Sequence, residues 1–290
     1  RKRYFGLQKM FGTIKKNDCD FFQVGGYELF FRNETSLFEK CTDNLDYLNR
    51  LIEQHLGLKN TFEVANNDIT KFGFHNTNNL IYNKYEGHLN TGKTLKSLMN
   101  LARSKGVEIL NGIEINKIEE DGHRVLLHFN GTTLTASQAI ICTNAFSASF
   151  VPKEEIIPAR AQVIVTEPTE NMPFKGTFHF DEGYYYFRDV GNRILFGGAR
   201  NIDFDTEQTT EFGENSKILE ALQYHLHNTI LPNKKINIDM TWSGIMAFGT
   251  NKQPLVKRIS NTTLIAARLN GMGVAIASSI ADEITSILIN

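Results

Sequence analysis

At 290 residues and a formal net charge of -1, with 41% hydrophobic residues and six prolines, the chain can bury a large core and make two domains. The balanced charge excludes a nucleic-acid surface, which needs a basic excess to neutralise phosphates, and no run approaches the roughly 18 apolar residues of a membrane span. Three cysteines (Cys19, Cys41, Cys142) without CxxC spacing and eight scattered histidines argue against a disulfide framework or a metal centre, and fit a reducing, cytoplasmic setting.

The chain opens on RKRYFGLQKM, in mid-pattern for an amphipathic helix, so residues 1–24 read as a linking helix in the body of a longer protein. Gly25-Gly26-Tyr27-Glu28-Leu29-Phe30-Phe31 predicts a glycine-led aromatic strand, and the stretch from Thr35 to His55 a helix closed by Gly57. A short strand is expected at Leu80 to Tyr82. Thr94 to Lys105 predicts a helix with Leu95, Leu98, Met99 and Ala102 on one face and Gly106 at its end. Val107 to Leu110 then reads as a short strand, completing a helix-glycine-strand unit that feeds a parallel sheet. Ile113 to Glu119, Val125 to Phe129 and Thr133 to Thr135, separated by Asp121-Gly122 and Asn130-Gly131, predict a meander. Gln138 to Cys142 is apolar as in a strand buried on both faces, and it exits at Thr143-Asn144-Ala145-Phe146.

From Ile157 the vocabulary becomes that of an antiparallel sheet. Aromatic-rich strands are expected at Ala161 to Thr166, Thr177 to Phe180, Tyr184 to Arg188 and Arg193 to Gly197. A helix over Glu214 to Ile230 ends at Pro232, and a strand spans Ile236 to Ile245. Parallel vocabulary returns with a buried strand at Leu264 to Ala267 and the turn Gly271-Met272-Gly273. A closing helix from Val274 follows, carrying Ala277, Ile280, Ala281, Ile284 and Leu288 on its apolar side. Its first N–H groups and positive dipole end make the turn a ready anion or cofactor site. The order fits two domains woven through each other.

The blocks AIICTNAFS, IPARAQVIVTEP, YYYFRDVGNRILFGGAR, WSGIMAFGTNKQPLV and LNGMGVAIASSIADEI, in this order, resemble the D-amino-acid oxidase family of FAD-dependent oxidoreductases. The likeness is greatest to the branch of glycine oxidase, sarcosine oxidase and gamma-glutamylputrescine oxidase. It covers the chain from Gly25 onward and implies an α/β fold with an α+β insertion. A FAD/NAD(P)-binding Rossmann-like domain (residues 86–151 and 250–290) would be interleaved with a mainly antiparallel-sheet substrate domain (residues 25–85 and 152–249). The family's N-terminal strand-GxGxxG-helix, which cradles the pyrophosphate, has no counterpart here. The expectation is therefore an N-terminally truncated member, binding FAD poorly and inactive without that segment.

The resemblance also implies site residues. Asn270, Gly271, Met272, Gly273 and Val274 would lie under the flavin, with Met272 standing where relatives often carry the histidine of Gly-His-Gly. Cys142, Thr143, Asn144 and Ala145 would form a small-residue turn against the cofactor, and Ile115 would meet the adenine. FAD would be non-covalent, since no cysteine follows Cys142. On the substrate side, period two places Tyr184, Tyr186 and Arg188 on one strand face and Tyr185 and Phe187 on the other. Two phenols and a guanidinium suit a carboxylate-bearing amine, because arginine grips carboxylate bidentately. Arg193, Arg200 and Arg160 are further candidates, while Trp242 and Phe248 read as packing residues and Lys252 as a solvated lysine. No Ser-His-Asp set, Cys-His pair or paired carboxylates stand out, so no catalytic side chain is assigned. The implied reaction is oxidation of a C–N bond by hydride transfer to flavin. Two other readings stay open: a substrate-binding or regulatory module without cofactor, and a dehydrogenase passing electrons to a carrier instead of oxygen.

Overall fold

A computed structural model describes residues 1–289. Helix α1 (Lys2–Thr13) leads into strand β1 (Gly26–Phe31), helices α2 (Thr35–Asp43) and α3 (Leu45–Leu56), strand β2 (Phe62–Val64), the short helix α4 (Ile69–Phe72), strand β3 (Thr77–Asn83) and helix α5 (Thr91–Ser104). Strands β4 (Lys117–Glu120), β5 (Val125–Phe129), β6 (Thr132–Ala136) and β7 (Ala139–Ile141) come next. They are followed by β8 (Ile157–Thr166), β9 (Thr177–Phe180), β10 (Tyr185–Val190) and β11 (Arg193–Gly198). Helix α6 (Ser216–His225), strands β12 (Ile238–Phe248), β13 (Leu255–Arg258) and β14 (Thr263–Ala267), and helix α7 (Gly273–Ile289) complete the described chain.

An eight-stranded sheet in the order β12-β8-β11-β10-β9-β1-β3-β2 dominates the molecule. Its neighbours are antiparallel except β1 and β9, which run parallel. Alternation along the strands sends Leu29, Phe178, Phe180, Tyr185, Phe187 and Phe196 to one face, where they pack with Ile218, Leu222 and Leu226 around α6. Phe178 and Phe187 stack at 4.8 Å between ring centroids. Buried rings of this size supply most of the free energy of such a face.

A second sheet, β13-β14-β7, carries helix α7. β14 and β7 are parallel, and Leu264 and Ala266 pack against Ile276, Ile280 and Ile284. Strands β4, β5 and β6 form the expected meander. Helix α1 crosses α7 at Gly6, where an added Cβ would stand 2.3 Å from the Ala275 carbonyl oxygen. Only glycine permits that approach.

Several local expectations are corrected. The stretch from Thr35 to His55 is two helices, because the Asn44 side chain donates to Lys40 O at 2.8 Å and closes the first one. Val107 to Leu110 forms no strand: no neighbour pairs with it, and Val107 and Leu110 are exposed. Ile140 is also exposed, since β7 sits at the edge of its sheet and is not covered on both faces. The helix before Pro232 turns into a π-turn over Leu226–Ile230, with Leu231 N donating to Leu226 O at 2.8 Å. On α7 the larger Ile276, Ile280 and Ile284 take the core, leaving Ala277 and Ala281 outside.

Candidate functional site

The backbone from Arg268 to Gly271 is bent by three left-handed residues, Arg268 (φ 59), Asn270 (φ 52) and Gly271 (φ 71). Asn270 N donates to Ala247 O at 3.0 Å, which ties this turn to the end of β12. The Asn270 side chain is buried, and its Nδ2 donates to Arg268 O at 2.7 Å. Its Oδ1 has no hydrogen-bond partner among the described residues. Buried acceptors are rarely left unsatisfied, so this oxygen is available to a ligand group. Helix α7 starts immediately afterwards, and the N–H groups of Gly273 and Val274 have no intrahelical acceptor. Arg3 of α1 adds a positive charge there, its Nε and Nη2 donating to Met272 Sδ at 3.0 and 2.7 Å. The turn is therefore electropositive and suited to an electron-rich or anionic group.

The strand end after β7 forms the wall of a cavity of about 740 Å³ that also gathers Ile115 and Phe146 with Thr143 and Ala145. Asn144 is left-handed (φ 49), and its Oδ1 accepts from Leu269 N at 3.2 Å, linking this turn to the one before α7. Cys142 is exposed at the strand end, and burial of its surroundings pushes its thiol above the ordinary range. The structure thus connects the two segments that the sequence singled out for a cofactor.

The open face of the large sheet carries the substrate candidates. Trp242, Val163, Gly197, Tyr186, His179 and Glu28 are successive register partners across five strand pairings, so they share a face opposite the phenylalanine core. The Tyr186 ring lies over Gly197, where an added Cβ would be 2.8 Å from its Oη. Burial raises the Tyr186 phenol above its usual pKa. Burial also lifts Glu28, helped by the charges of Glu86, Glu34 and Glu182, to a pKa of about 7. Beside it, His179 Nε2 meets Glu86 Oε1 at 3.1 Å.

The four arginines expected from sequence are in different situations, and Arg193 is paired with Asp239. Arg160 is buried and paired bidentately with Glu207, Nε to Oε2 at 3.0 Å and Nη2 to Oε1 at 2.8 Å. Gln162 Nε2 and Asn215 Nδ2 donate to the same carboxylate at 3.2 and 3.0 Å. That network leaves no room for a substrate carboxylate on Arg160. The strand starts at Tyr185, leaving Tyr184 in the turn before it, and Arg188 lies two residues along the strand from Tyr186, roughly 7 Å at the rise of a β-strand. Its Nη1 bonds His88 Nδ1 at 2.6 Å and its Nη2 donates to Leu89 O at 3.3 Å. Arg200 sits in the turn after β11, its guanidinium 4.6 Å from the Phe204 ring and 5.0 Å from the Phe248 ring. Phe204 in turn lies edge-on to Tyr184 at 5.9 Å. The Arg200 guanidinium donates no hydrogen bond among the described residues, and burial lowers its pKa.

Phe248 follows Ala247, the acceptor for Asn270, so Arg200 and Tyr184 flank the strand end that meets the electropositive turn. Trp242 is exposed on the same strand and Lys252 is exposed beyond it. Glu207, Phe204, His88 and Arg3 were not reached from sequence. Glu207, His88 and Arg3 act on partners far along the chain, and Phe204, only four positions from Arg200, carries no local motif.

A parallel strand pair leading through a glycine turn into a closing helix, beside a large mainly antiparallel aromatic sheet, matches the Rossmann-like fold of FAD-dependent oxidoreductases. The FAD dependent oxidoreductase (DAO) family model matches residues 4–287, and the chain belongs to that family, whose members are FAD-binding flavoproteins. Among solved structures, the chain is similar to L-proline dehydrogenase from P. horikoshii (16% identity, TM-score 0.78, 99% of this chain and 78% of that one). It is likewise similar to glycine oxidase from Geobacillus kaustophilus (15% identity, TM-score 0.76, 98% and 75%). A third likeness is to iminodiacetate oxidase from Chelativorans sp. BNC1 (14% identity, TM-score 0.76, 99% and 78%). No curated protein matches the chain. No helix among the described residues is long and apolar enough to cross a membrane.

The residues present fit FAD at two places. The unpartnered Asn270 Oδ1 and the free N–H groups of Gly273 and Val274 offer both an acceptor and donors, as a flavin edge requires. The cavity at Ile115, Thr143 and Ala145 has the size and small side chains to admit a flat base.

Proposed function

We propose that the chain serves in the oxidation of a C–N bond in a carboxylate-bearing amine or amino acid, with Arg200 as the carboxylate anchor. The observation that carries this reading is the Arg200 guanidinium, partly buried between Phe204 and Phe248 without a hydrogen-bond acceptor, beside the turn at Asn270. A guanidinium in that state gains most from a planar anion that enters the pocket. The rings hold the fork in one plane and exclude water, which strengthens the contact. Tyr186 on the open sheet face, and Tyr184 in the turn before β10 against Phe204, orient the substrate's amine end toward the turn at Asn270.

Bound FAD would supply the acceptor for a hydride from the carbon bearing the amine, and the imine product would hydrolyse in water. Asn270 to Val274 would hold its flavin end, and Ile115 with Cys142 to Ala145 its adenosine end. The electropositive start of α7 and Arg3 stabilise negative charge at the turn. No side chain needs to act as nucleophile, in keeping with a site composed of rings, a guanidinium and backbone donors.

The test is Arg200→Met in the flavin-loaded protein. KM for a carboxylated amine is expected to rise about 30-fold or more, from a loss of roughly 2–4 kcal/mol, with the bound flavin absorbance retained. Unchanged kinetics with Arg200→Met would remove this assignment.

A further inference from the structure

Below the substrate face, a cavity of about 400 Å³ opens between Phe22, Val24, His88, Leu89 and the β10–β11 hairpin, with Arg188 in its wall. Its construction is specific. Phe22 and His88 form an isolated antiparallel bridge, Phe22 N to His88 O at 2.9 Å and His88 N to Phe22 O at 3.0 Å. Gly87 makes that contact possible, since a Cβ there would stand 2.4 Å from Phe22 O. The bridge fixes the His88 ring beside Phe22 at 5.8 Å.

Arg188 Nη1 lies 2.6 Å from His88 Nδ1, so this nitrogen is the acceptor and the imidazole is neutral. Burial and the neighbouring guanidinium both keep His88 from protonating. His88 therefore aims the arginine without neutralising it. Three of the partly or fully buried arginines have a carboxylate, Arg160 with Glu207, Arg193 with Asp239 and Arg268 with Glu155, whereas Arg200 and Arg258 have none among the described residues. Arg188 has none within ion-pair distance among the described residues. The acids on the rim are engaged elsewhere, Asp20 with Lys93 at 2.7 Å and Asp189 Oδ1 with Gly176 N at 2.9 Å. Lys175 contributes a second cation to the lining.

A guanidinium taken partly out of water with neutral partners alone is incomplete, and a carboxylate completes it. The remaining walls, Phe22, Val24 and Leu89, are apolar and suit a hydrocarbon body. We propose that this cavity is a second small-molecule site, separate from the one at Arg200, and that it binds a carboxylate with an apolar body through Arg188. Such a ligand could be a plain carboxylic acid or an amino acid, and both share the group that Arg188 reads.

The experiment measures calorimetric binding of 3-phenylpropionate, phenylalanine and phenethylamine to the Arg200→Met protein, which disables the other anchor. One equivalent of 3-phenylpropionate is expected to bind. Adding Arg188→Met should weaken it about 10- to 100-fold, and Phe22→Ala, an exposed substitution, should weaken it several-fold with an unchanged far-ultraviolet circular dichroism spectrum. Phenethylamine, lacking the carboxylate, should not bind. Phenylalanine binding as well as 3-phenylpropionate would support the site and assign it to amino acids; phenylalanine binding more weakly would support it and assign it to plain acids. Binding insensitive to both Arg188→Met and Phe22→Ala, or phenethylamine binding as tightly as the acid, would overturn the proposal.

Discussion

Glu207 is fully buried and accepts four hydrogen bonds, two from Arg160 and one each from Gln162 and Asn215. Replacing it with alanine leaves the Arg160 guanidinium, itself buried, without a counter-charge, and strips an acceptor from two buried amides. Breaking one side of a buried pair costs about 3–5 kcal/mol, a large share of the roughly 5–15 kcal/mol that holds a domain folded. The double substitution Arg160→Met/Glu207→Leu removes both charges and should recover at least about 2 kcal/mol of that loss. Urea unfolding followed by the fluorescence of Trp242, the single tryptophan, measures all three variants. Burial raises the Glu207 carboxyl, but the bonds from Arg160, Asn215 and Gln162 outweigh it and hold its pKa below the ordinary range. Its contribution is accordingly present above the unfolded carboxylate pKa and is lost as pH falls through the lower folded value. Glu207→Ala should therefore flatten the acid limb of the stability curve. A single substitution costing under about 1 kcal/mol, or strictly additive losses in the double variant, would refute the assignment of Arg160 to this network.

Gly198 has φ +118 and its added Cβ would lie 1.9 Å from the Tyr184 carbonyl oxygen, so Gly198→Ala should cost at least about 1–3 kcal/mol and displace Tyr184, read as a lower urea midpoint. Glu28, lifted to about pH 7, favours the folded state while protonated, so its stabilising contribution is complete below the unfolded carboxylate pKa and is lost as pH rises through about 7. Glu28→Gln should abolish that alkaline loss; a variant whose stability still declines across the same window would show that another group titrates there.

The period of the sheet was written plainly in the chain. Tyr185 and Phe187 enter the core while Tyr186 faces away, as two-residue alternation requires. The meander and the strand-turn-helix before α7 were equally legible, because turn glycines and apolar spacing are local signals. Partnership was not. Nothing near Arg160 in sequence announces Glu207, 47 positions away, and nothing near Arg188 announces His88, 100 positions away. A face can be deduced from alternation, but whether a cation on it is already paired depends on loops that only the fold brings close. The exposed Val107 to Leu110 shows the converse: apolar residues with a turn before them do not make a strand unless a neighbour lies ready to pair.

The clasp of α1 on α7 has a kinetic meaning. Arg3 and Met272 meet across 269 positions, and Thr177 reaches Gly25 O across 152. Closing a loop of the first length costs about 3 kcal/mol more entropy than closing one of about ten residues, so local hairpins such as β10–β11 have a head start of orders of magnitude. The electropositive turn is assembled only when the slow, long-range closure succeeds. Until then the apolar side of α7 and strand β14 stay uncovered, and the nascent molecule spends its most adhesive interval before its site exists.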